Sequence, residues 1–299
     1  MSDSFENLLG TSARLTVVGI DERTARTAID AAVAEISRLD QVLSTYREDS
    51  EINKLNRDRS AKRISADLRA VIEKCISWQA KAKSHFSCKL GRVVQMWQQA
   101  GQEQVVPARP EVRALARQIR RLEITMGSGT DEPAVMLPDP ILLNVSGLAK
   151  GYIIDRAFSV LRKQAANANA VKVEIGGDGR YWSDADPWQV ALSTDANGVD
   201  NPASTVSIQD GAIAASGHRD RGIKIGRRTF SHILQTRDGW PMHNAPNTVV
   251  TAPTAVGAGA PAPAISPQCP PPGGAWGGRH NRHEARRAVG CGPSKAPRG

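Results

Sequence analysis

Apolar and polar positions along the chain change period several times, and each change predicts an element. Leu9–Val18 alternates as a half-buried strand does. From about Arg23 to Thr45 the period becomes helical, with Ile29, Val33, Ile36, Leu39 and Leu43 on one face. A second helix is predicted from Ser65 to about Lys83, with Leu68, Val71, Ile72, Cys75 and Trp78 inward. A short helix ends near Trp97, and an Arg-rich helix with a solvated face covers Glu111 to about Arg121. The stretch Leu142–Asp155 starts as an apolar strand, turns at Gly147 and continues as a helix to about Ala166. Ser146 is placed to cap that helix. Beyond it the texture is β: Val171–Ile175, Trp188–Leu192, Ser204–Ile208, Gly211–Ala215, Thr229–Leu234 and Asn247–Thr251 are strand candidates. Gly176-Gly177-Asp178-Gly179, Ala215-Ser216-Gly217-His218 and Arg237-Asp238-Gly239-Trp240-Pro241 mark turns.

From about Gly257 the periodicity stops. The last 43 residues hold nine Gly and eight Pro, so disorder is expected there. The domain reading is therefore one globular body over 1–256 and a Gly/Pro/Arg-rich tail over 257–299. The tail also changes the meaning of the net charge. Its six Lys/Arg and one Glu supply five of the nine positive charges, so the body is only weakly basic and nucleic-acid binding is not expected. No apolar run reaches the length of a membrane span. The N-terminus has neither a basic nor an apolar leader region, so no secretory signal is expected, and the chain reads either as cytoplasmic as written or as lacking its true N-terminus. The four cysteines have no metal spacing: Cys75 reads as a helix core residue, the others as free thiols.

Three stretches carry candidate chemistry. A helix N-terminus has unpaired N–H groups and a partial positive charge; with Gly147 and Lys150 beside it, it suits a phosphate. The same residues also suit an ordinary capped helix with a surface lysine. Tyr46, within the polar turn Ser44–Asn56, suits a flavin or nucleotide edge or, equally, a solvated connection. His85 and Cys88 lie three apart, but no third ligand is near in sequence.

Taken together, five blocks in order resemble the FAD:protein FMN transferases, the ApbE-type flavin transferases, over about residues 9–256. They are Leu9-Gly10-Thr11; Leu43–Arg47 with Asp49–Ile52 and Leu55-Asn56; Ser146–Tyr152 with Asp155; Ile175–Asp178; and Ser216-Gly217 with Ser231-His232-Ile233 and Gly239-Trp240-Pro241. The resemblance implies an α+β fold of the ApbE type (T-fold-like), with mixed sheets and packed helices. It implies FAD as substrate, Mg²⁺ as metal, and an acceptor protein that receives FMN on a threonine. Tyr46, Phe86, Ser87, Cys88, Asn144, Ser146, Lys150 and Ile233 are then expected at FAD, and Gly147 offers its carbonyl to the metal. His232 is the candidate acceptor of the threonine proton, with a backbone-satisfied strand histidine as the other reading.

The sequence departs from the family in four places. Asn144 stands where the family has Asp, Ser87 where it pairs Phe with Asp, and Leu234-Gln235-Thr236 where a carboxylate and a proline follow His-Ile. Most consequential is the end. The family continues into a closing helix whose Asp and Thr bind metal, whereas this chain reads Gly257-Ala258-Gly259-Ala260-Pro261-Ala262-Pro263 and holds no Asp or Thr after residue 256. An out-of-frame or otherwise altered C-terminus is the expectation, and three functional readings stand: a flavin transferase whose activity the lost metal ligands impair, a catalytically inactive FAD-binding remnant, or a basic nucleic-acid or anion binder using the tail.

Overall fold

The computed structural model describes residues 1–82, 85–130, 132–191, 205–216, 222–242, 247–259 and 287–292. The described helices are α1 (Glu22–Leu43), α2 (Glu51–Asp58), α3 (Ala66–Lys81), α4 (Gly91–Glu103), α5 (Arg109–Arg121), α6 (Ser146–Gln164) and α7 (Ala255–Gly259). The strands are β1 (Ser2–Leu8), β2 (Thr11–Val18), β3 (Ser60–Ala61), β4 (Thr125–Met126), β5 (Val135–Met136), β6 (Ala170–Ile175), β7 (Asp178–Ser183), β8 (Trp188–Ala191), β9 (Thr205–Ile208), β10 (Asp210–Ser216), β11 (Ile223–Ile225), β12 (Arg228–Phe230), β13 (Asn247–Ala252) and β14 (Arg287–Gly292). The architecture is α+β, as expected. The described residues form two compact units, one from 1–40, 148–216 and 246–299, the other from 41–147 and 217–245. None of the described helices is long and apolar enough to cross a membrane.

The first unit is built on an antiparallel sheet in the order β1-β2-β6-β7-β10-β13-β14. Alternation sets its buried face: Ala13, Leu15 and Val17 of β2 stand opposite Ile175, Val173 and Val171 of β6, and all six are buried. A tight turn at Gly176-Gly177, both at positive φ, joins β6 to β7. The glycine cluster was expected as a tight turn or a close backbone approach to a ligand; its last two residues already belong to β7, which pairs with both β6 and β10. On β7, Tyr181 is buried and donates its hydroxyl to Glu174 at 2.9 Å. Glu35 of α1 accepts from Arg38 at 2.8 Å and from Arg156 of α6 at 3.2 Å. Both oxygens of Asp155 in α6 accept the first N–H groups of α7, from Ala255 at 2.8 Å and Val256 at 2.9 Å.

Two parts of the expected tail are described. Residues 257–259 complete α7, and Arg287–Gly292 pairs antiparallel with β13. No alternation marks that strand, because pairing to a sheet edge uses backbone groups and needs none. Residues 260–286 and 293–299, including Cys269, lie outside the description, as do Leu192, Ser204, Gly217 and His218 of the predicted strands and turn.

The second unit is mostly helical. Ser50 and Ser65 cap α2 and α3, accepting from Asn53 N at 3.2 Å and Leu68 N at 3.1 Å. Ile52, Leu68, Ile72, Trp97 and Ile119 are fully buried. The short helix expected to end near Trp97 instead runs to Glu103, and Trp97 sits in its middle. Its ring lies 5.1 Å from Phe230 and 5.0 Å from Trp240, and its Nε1 donates to the Gly239 carbonyl at 3.0 Å. That carbonyl belongs to the predicted Arg237–Pro241 turn, where Gly239 has a φ of +70° and an added Cβ would meet Val93 and Val112 at 3.0 Å. The preceding strand is shorter than expected: β12 stops at Phe230, the chain bends at His232 with Ile233 N donating to the Ser231 hydroxyl at 3.0 Å, and Leu234 makes only an isolated bridge to Pro241. This local bond takes the backbone out of the ladder.

Cys88 is not the expected free thiol. It is bonded to Cys75, with the two Cα atoms 5.9 Å apart. Folding brings the end of α3 back beside the Phe86–Leu90 segment, a proximity that the spacing of the two residues does not encode.

One pH dependence follows. Burial, reinforced by the neighbouring Glu174 carboxylate, pushes the Tyr181 hydroxyl above its ordinary range. A group whose folded pKa is raised contributes stability that is complete below its unfolded pKa, about 10 for tyrosine, and is lost as pH rises beyond it. Stability measured by urea titration should therefore fall above about pH 10, and Tyr181→Phe should flatten that fall. An unchanged alkaline slope in Tyr181→Phe would remove Tyr181 as its source.

Candidate functional site

The candidate site is built on the segment Pro138–Gly147, which leads into α6. The sequence reading made Leu142-Leu143 a strand, but the segment joins no sheet and makes only one parallel bridge, between Leu142 and Leu90. It is nevertheless buried from Ile141 to Leu143 and again at Val145, so its backbone groups need partners. Side chains and a neighbouring loop supply them. Asn56 of α2 donates its amide to the Leu143 carbonyl at 2.9 Å and accepts the Leu143 N–H at 2.7 Å, a two-way bond of the kind a neighbouring strand would make. Arg59, just beyond α2, donates to the carbonyls of Pro138 at 3.0 Å and Ile141. Gly91 N donates to Leu142 O at 2.9 Å, and Asn144 N donates to Cys88 O at 2.8 Å. Sequence reasoning missed Asn56 and Arg59 as supports, because partners 87 and 82 residues away leave no local pattern.

The start of α6 differs from expectation in one respect. Ser146 is its first residue, not its cap. Asn144 does the capping: its Oδ1 accepts the Ser146 N–H at 3.1 Å and the Ser146 hydroxyl at 2.6 Å. An amide cap satisfies these donors while adding no negative charge, so the positive end of the helix is not cancelled. Ser146 and Gly147 are exposed. Gly147 is bounded on one side by Phe86, since a Cβ added there would lie 3.1 Å from Phe86 Cε2. Phe86 itself is buried.

The remaining candidates are distributed as follows. Ser87 donates to Gln79 of α3 at 3.0 Å and accepts the Lys89 N–H at 3.2 Å. Cys88 commits its sulfur to Cys75 and its carbonyl to Asn144. Tyr46 is 80% exposed, which leaves its ring face available. Its backbone turn is tied by Asn53, which donates to the Arg47 carbonyl at 2.8 Å. His232 is exposed at the bend after β12, and Ile233 O accepts from Met242 N at 2.8 Å. The structure thus brings together Phe86, Cys88, Asn144, Ser146 and Gly147.

Lys150 belongs to the other unit, where it is already paired. Its Nζ lies 2.7 Å from Asp178 Oδ2 and donates to the Gly176 carbonyl at 3.3 Å, while Asp178 Oδ1 accepts the Ala215 N–H at 3.0 Å. Asp178 is buried. Lysine charge and Gly176-Gly177 turn are therefore tied together through one carboxylate, a link that the two separate motifs did not reveal. Another lysine was also missed: Lys89 is buried and donates to the Leu122 carbonyl at 2.6 Å.

A hard divalent cation needs several oxygen donors, usually including carboxylates. Among the described residues no group of three His, Cys, Asp or Glu is placed to hold one. Helix α7, of sequence Ala-Val-Gly-Ala-Gly, presents no side-chain oxygen. The described residues do not fit Mg²⁺.

The fold is that of the flavin transferases. A solved ApbE protein from Thermotoga maritima superposes with a TM-score of 0.76 at 22% identity, covering 89% of this chain and 86% of that one. The flavin transferase ApbE from Vibrio cholerae gives 0.66 at 22% identity, covering 89% and 86%. The sequence model of the ApbE family matches residues 9–273, and the chain belongs to that family. Among relatives named FAD:protein FMN transferase, that of Escherichia coli K12 is 23% identical over 260 residues, 84% of this chain and 74% of its own length. That of Vibrio cholerae is 27% identical over 232 residues, 75% and 67% respectively.

Asn56 gives a direct test of how the segment is held. Asn56→Ala strands a buried N–H and a carbonyl of Leu143 and should cost about 2–4 kcal/mol in chemical denaturation. Asn56→Asp keeps the acceptor but turns a carboxylate oxygen toward the Leu143 carbonyl, so it should not rescue the loss. Full stability in the aspartate variant would show that the donated bond is dispensable.

Proposed function

We propose that the chain binds FAD and transfers its FMN moiety to a threonine hydroxyl of an acceptor protein, with the transfer step impaired. The observation that carries the reading is the exposed first turn of α6, at Ser146-Gly147, capped by the neutral Asn144 within a family whose named relatives are FAD:protein FMN transferases. Pyrophosphate is an anion that such a helix end stabilises, most usefully as charge grows on departing AMP. Tyr46 offers a free aromatic face for the flavin or the adenine. Phe86 forms the wall beside Gly147, and Ile233 is an additional expected FAD contact.

In the transfer, the threonine oxygen forms a bond to the FMN phosphorus as the bond from that phosphorus to the AMP oxygen breaks. The threonine proton goes to His232, which stands exposed on a bend rather than locked in a ladder. Mg²⁺ is the family's expected metal, and bound Mg²⁺ would neutralise pyrophosphate charge. The residues described do not fit it, and the impairment follows from that. A second reading, an FAD-binding protein without transfer, is favoured by the sequence of α7: the resemblance expects Asp and Thr in this stretch of the chain, and the helix has no side-chain oxygen.

The test is incubation of the full chain with FAD and Mg²⁺, following AMP release and FMN attachment to a threonine-bearing acceptor peptide. The control is Gly147→Leu, whose side chain fills the exposed first turn of α6 beside Phe86. FAD binding at least ~10-fold tighter than in the control, with slow AMP release, supports impaired transfer. Binding without release selects the second reading, and FAD affinity no better than the control's sinks both.

A further inference from the structure

The motifs assign no task to Cys75. We propose that the Cys75–Cys88 disulfide positions the Phe86 wall and the Asn144 cap for FAD, so that FAD affinity falls when the disulfide is reduced. The proposal rests on the FAD reading above.

Residues Phe86–Leu90 form no helix of their own; Lys89 Nζ ties them to the Leu122 carbonyl at 2.6 Å, and two further sets of ties hold the residues around Phe86 and Cys88. On the α3 side there are two: the bond from Cys88 to Cys75, and the hydrogen bond from Ser87 to Gln79 at 3.0 Å. Cys75 and Gln79 are four residues apart, so both project from one face of α3. On the other side, Cys88 O accepts from Asn144 N at 2.8 Å, Leu90 bridges to Leu142, and Gly91 N donates to Leu142 O at 2.9 Å. Cys88 is therefore the one residue bound to both sides, through its sulfur to α3 and through its carbonyl to the residue that caps α6. Phe86, two residues earlier, packs against Gly147.

The covalent tie acts on this segment in a way the hydrogen bond does not. It closes a chain separation of 13 residues and restricts where Cys88 can go. Reduction by a dithiol breaks the Sγ–Sγ bond with two electrons and two protons, leaving thiols on Cys75 and Cys88 while the reagent departs as its cyclic disulfide. The Ser87–Gln79 hydrogen bond is then the tie to α3 that remains among those identified. The wall beside Gly147 and the acceptor for Asn144 N lose their fixed position, and a site that was organised before FAD arrives has to be organised by FAD itself. Both sulfurs belong to buried residues, each 2% exposed, so reduction requires local opening or a sustained excess of dithiol.

The experiment uses the full chain in oxidised form, after dithiothreitol, and as Cys75→Ser. Alkylation and intact mass report whether the bond is present. Amide hydrogen exchange without ligand is the first readout: faster exchange at Lys89, Gly91 and Asn144, with the β2 and β6 amides unchanged, is expected after reduction. Unchanged exchange at Asn144 overturns the proposal, whether or not FAD binds. FAD affinity, followed by flavin fluorescence, is the second readout. We expect a loss of ~10-fold in Cys75→Ser and in Phe86→Ala, and no further loss when the two are combined, because both act on one wall. Independent losses that multiply would reduce the disulfide to a general stabiliser and contradict the positioning role. If Cys75→Ser does not fold, reversible reduction of the wild-type chain, with affinity restored on reoxidation by oxidised glutathione, decides the same point. An oxidised chain that binds no FAD refutes the functional reading, while the exchange data still decide what the disulfide holds.

Discussion

A buried backbone segment that joins no sheet must find its hydrogen bonds elsewhere, and Pro138–Gly147 is that segment here. Leaving its donors and acceptors unpaired would cost more than the small net gain of an ordinary hydrogen bond. Asn56, Arg59, Gly91 and the Cys88 carbonyl remove that cost between them. Because these partners come from the end of α2 and the loop before α4, the position of the first turn of α6 is fixed by residues remote in sequence. The polar block around Asn56 therefore acts as a support as well as a possible contact surface, and Phe86 meets Gly147 as part of the same arrangement.

The distribution of charge completes this picture. Asn144 satisfies the opening of α6 with a neutral oxygen, so the helix end keeps the partial positive charge that its unpaired N–H groups confer. In the other unit, the Lys150 charge is used to join Asp178 to the turn after β6. A lysine beside a glycine-rich turn reads in the sequence as an open anion contact. Paired with a buried carboxylate, it instead gains a fixed geometry and loses part of its field.

The elements most legible in the sequence were those with long, one-sided periodicity. α1, α3 and α6 lie within one or two residues of their predicted limits. The blocks that carry the family resemblance also sit at turns and helix starts, where residue identity is dictated by local geometry. What was not legible depends on partners brought together only by folding. Cys75 and Cys88 gave no framework pattern, and Lys150 and Asp178 sat in separate motifs. β7 was hidden because Asp178-Gly179 looks like the continuation of a turn, although both neighbouring strands accept it in register. The Asn56 side chain imitates a strand, and no alternation marks it.

The start of α7 has a different consequence. Asp155 holds it through the N–H groups of Ala255 and Val256, which every residue but proline possesses. The contact is blind to side chains. The anchor itself selects no side chain, and what discriminates among residues here is the packing of the buried Ala255, Val256 and Ala258. The scaffold and its chemical equipment are separable here: the backbone bonds that start the helix say nothing about which polar groups it goes on to present.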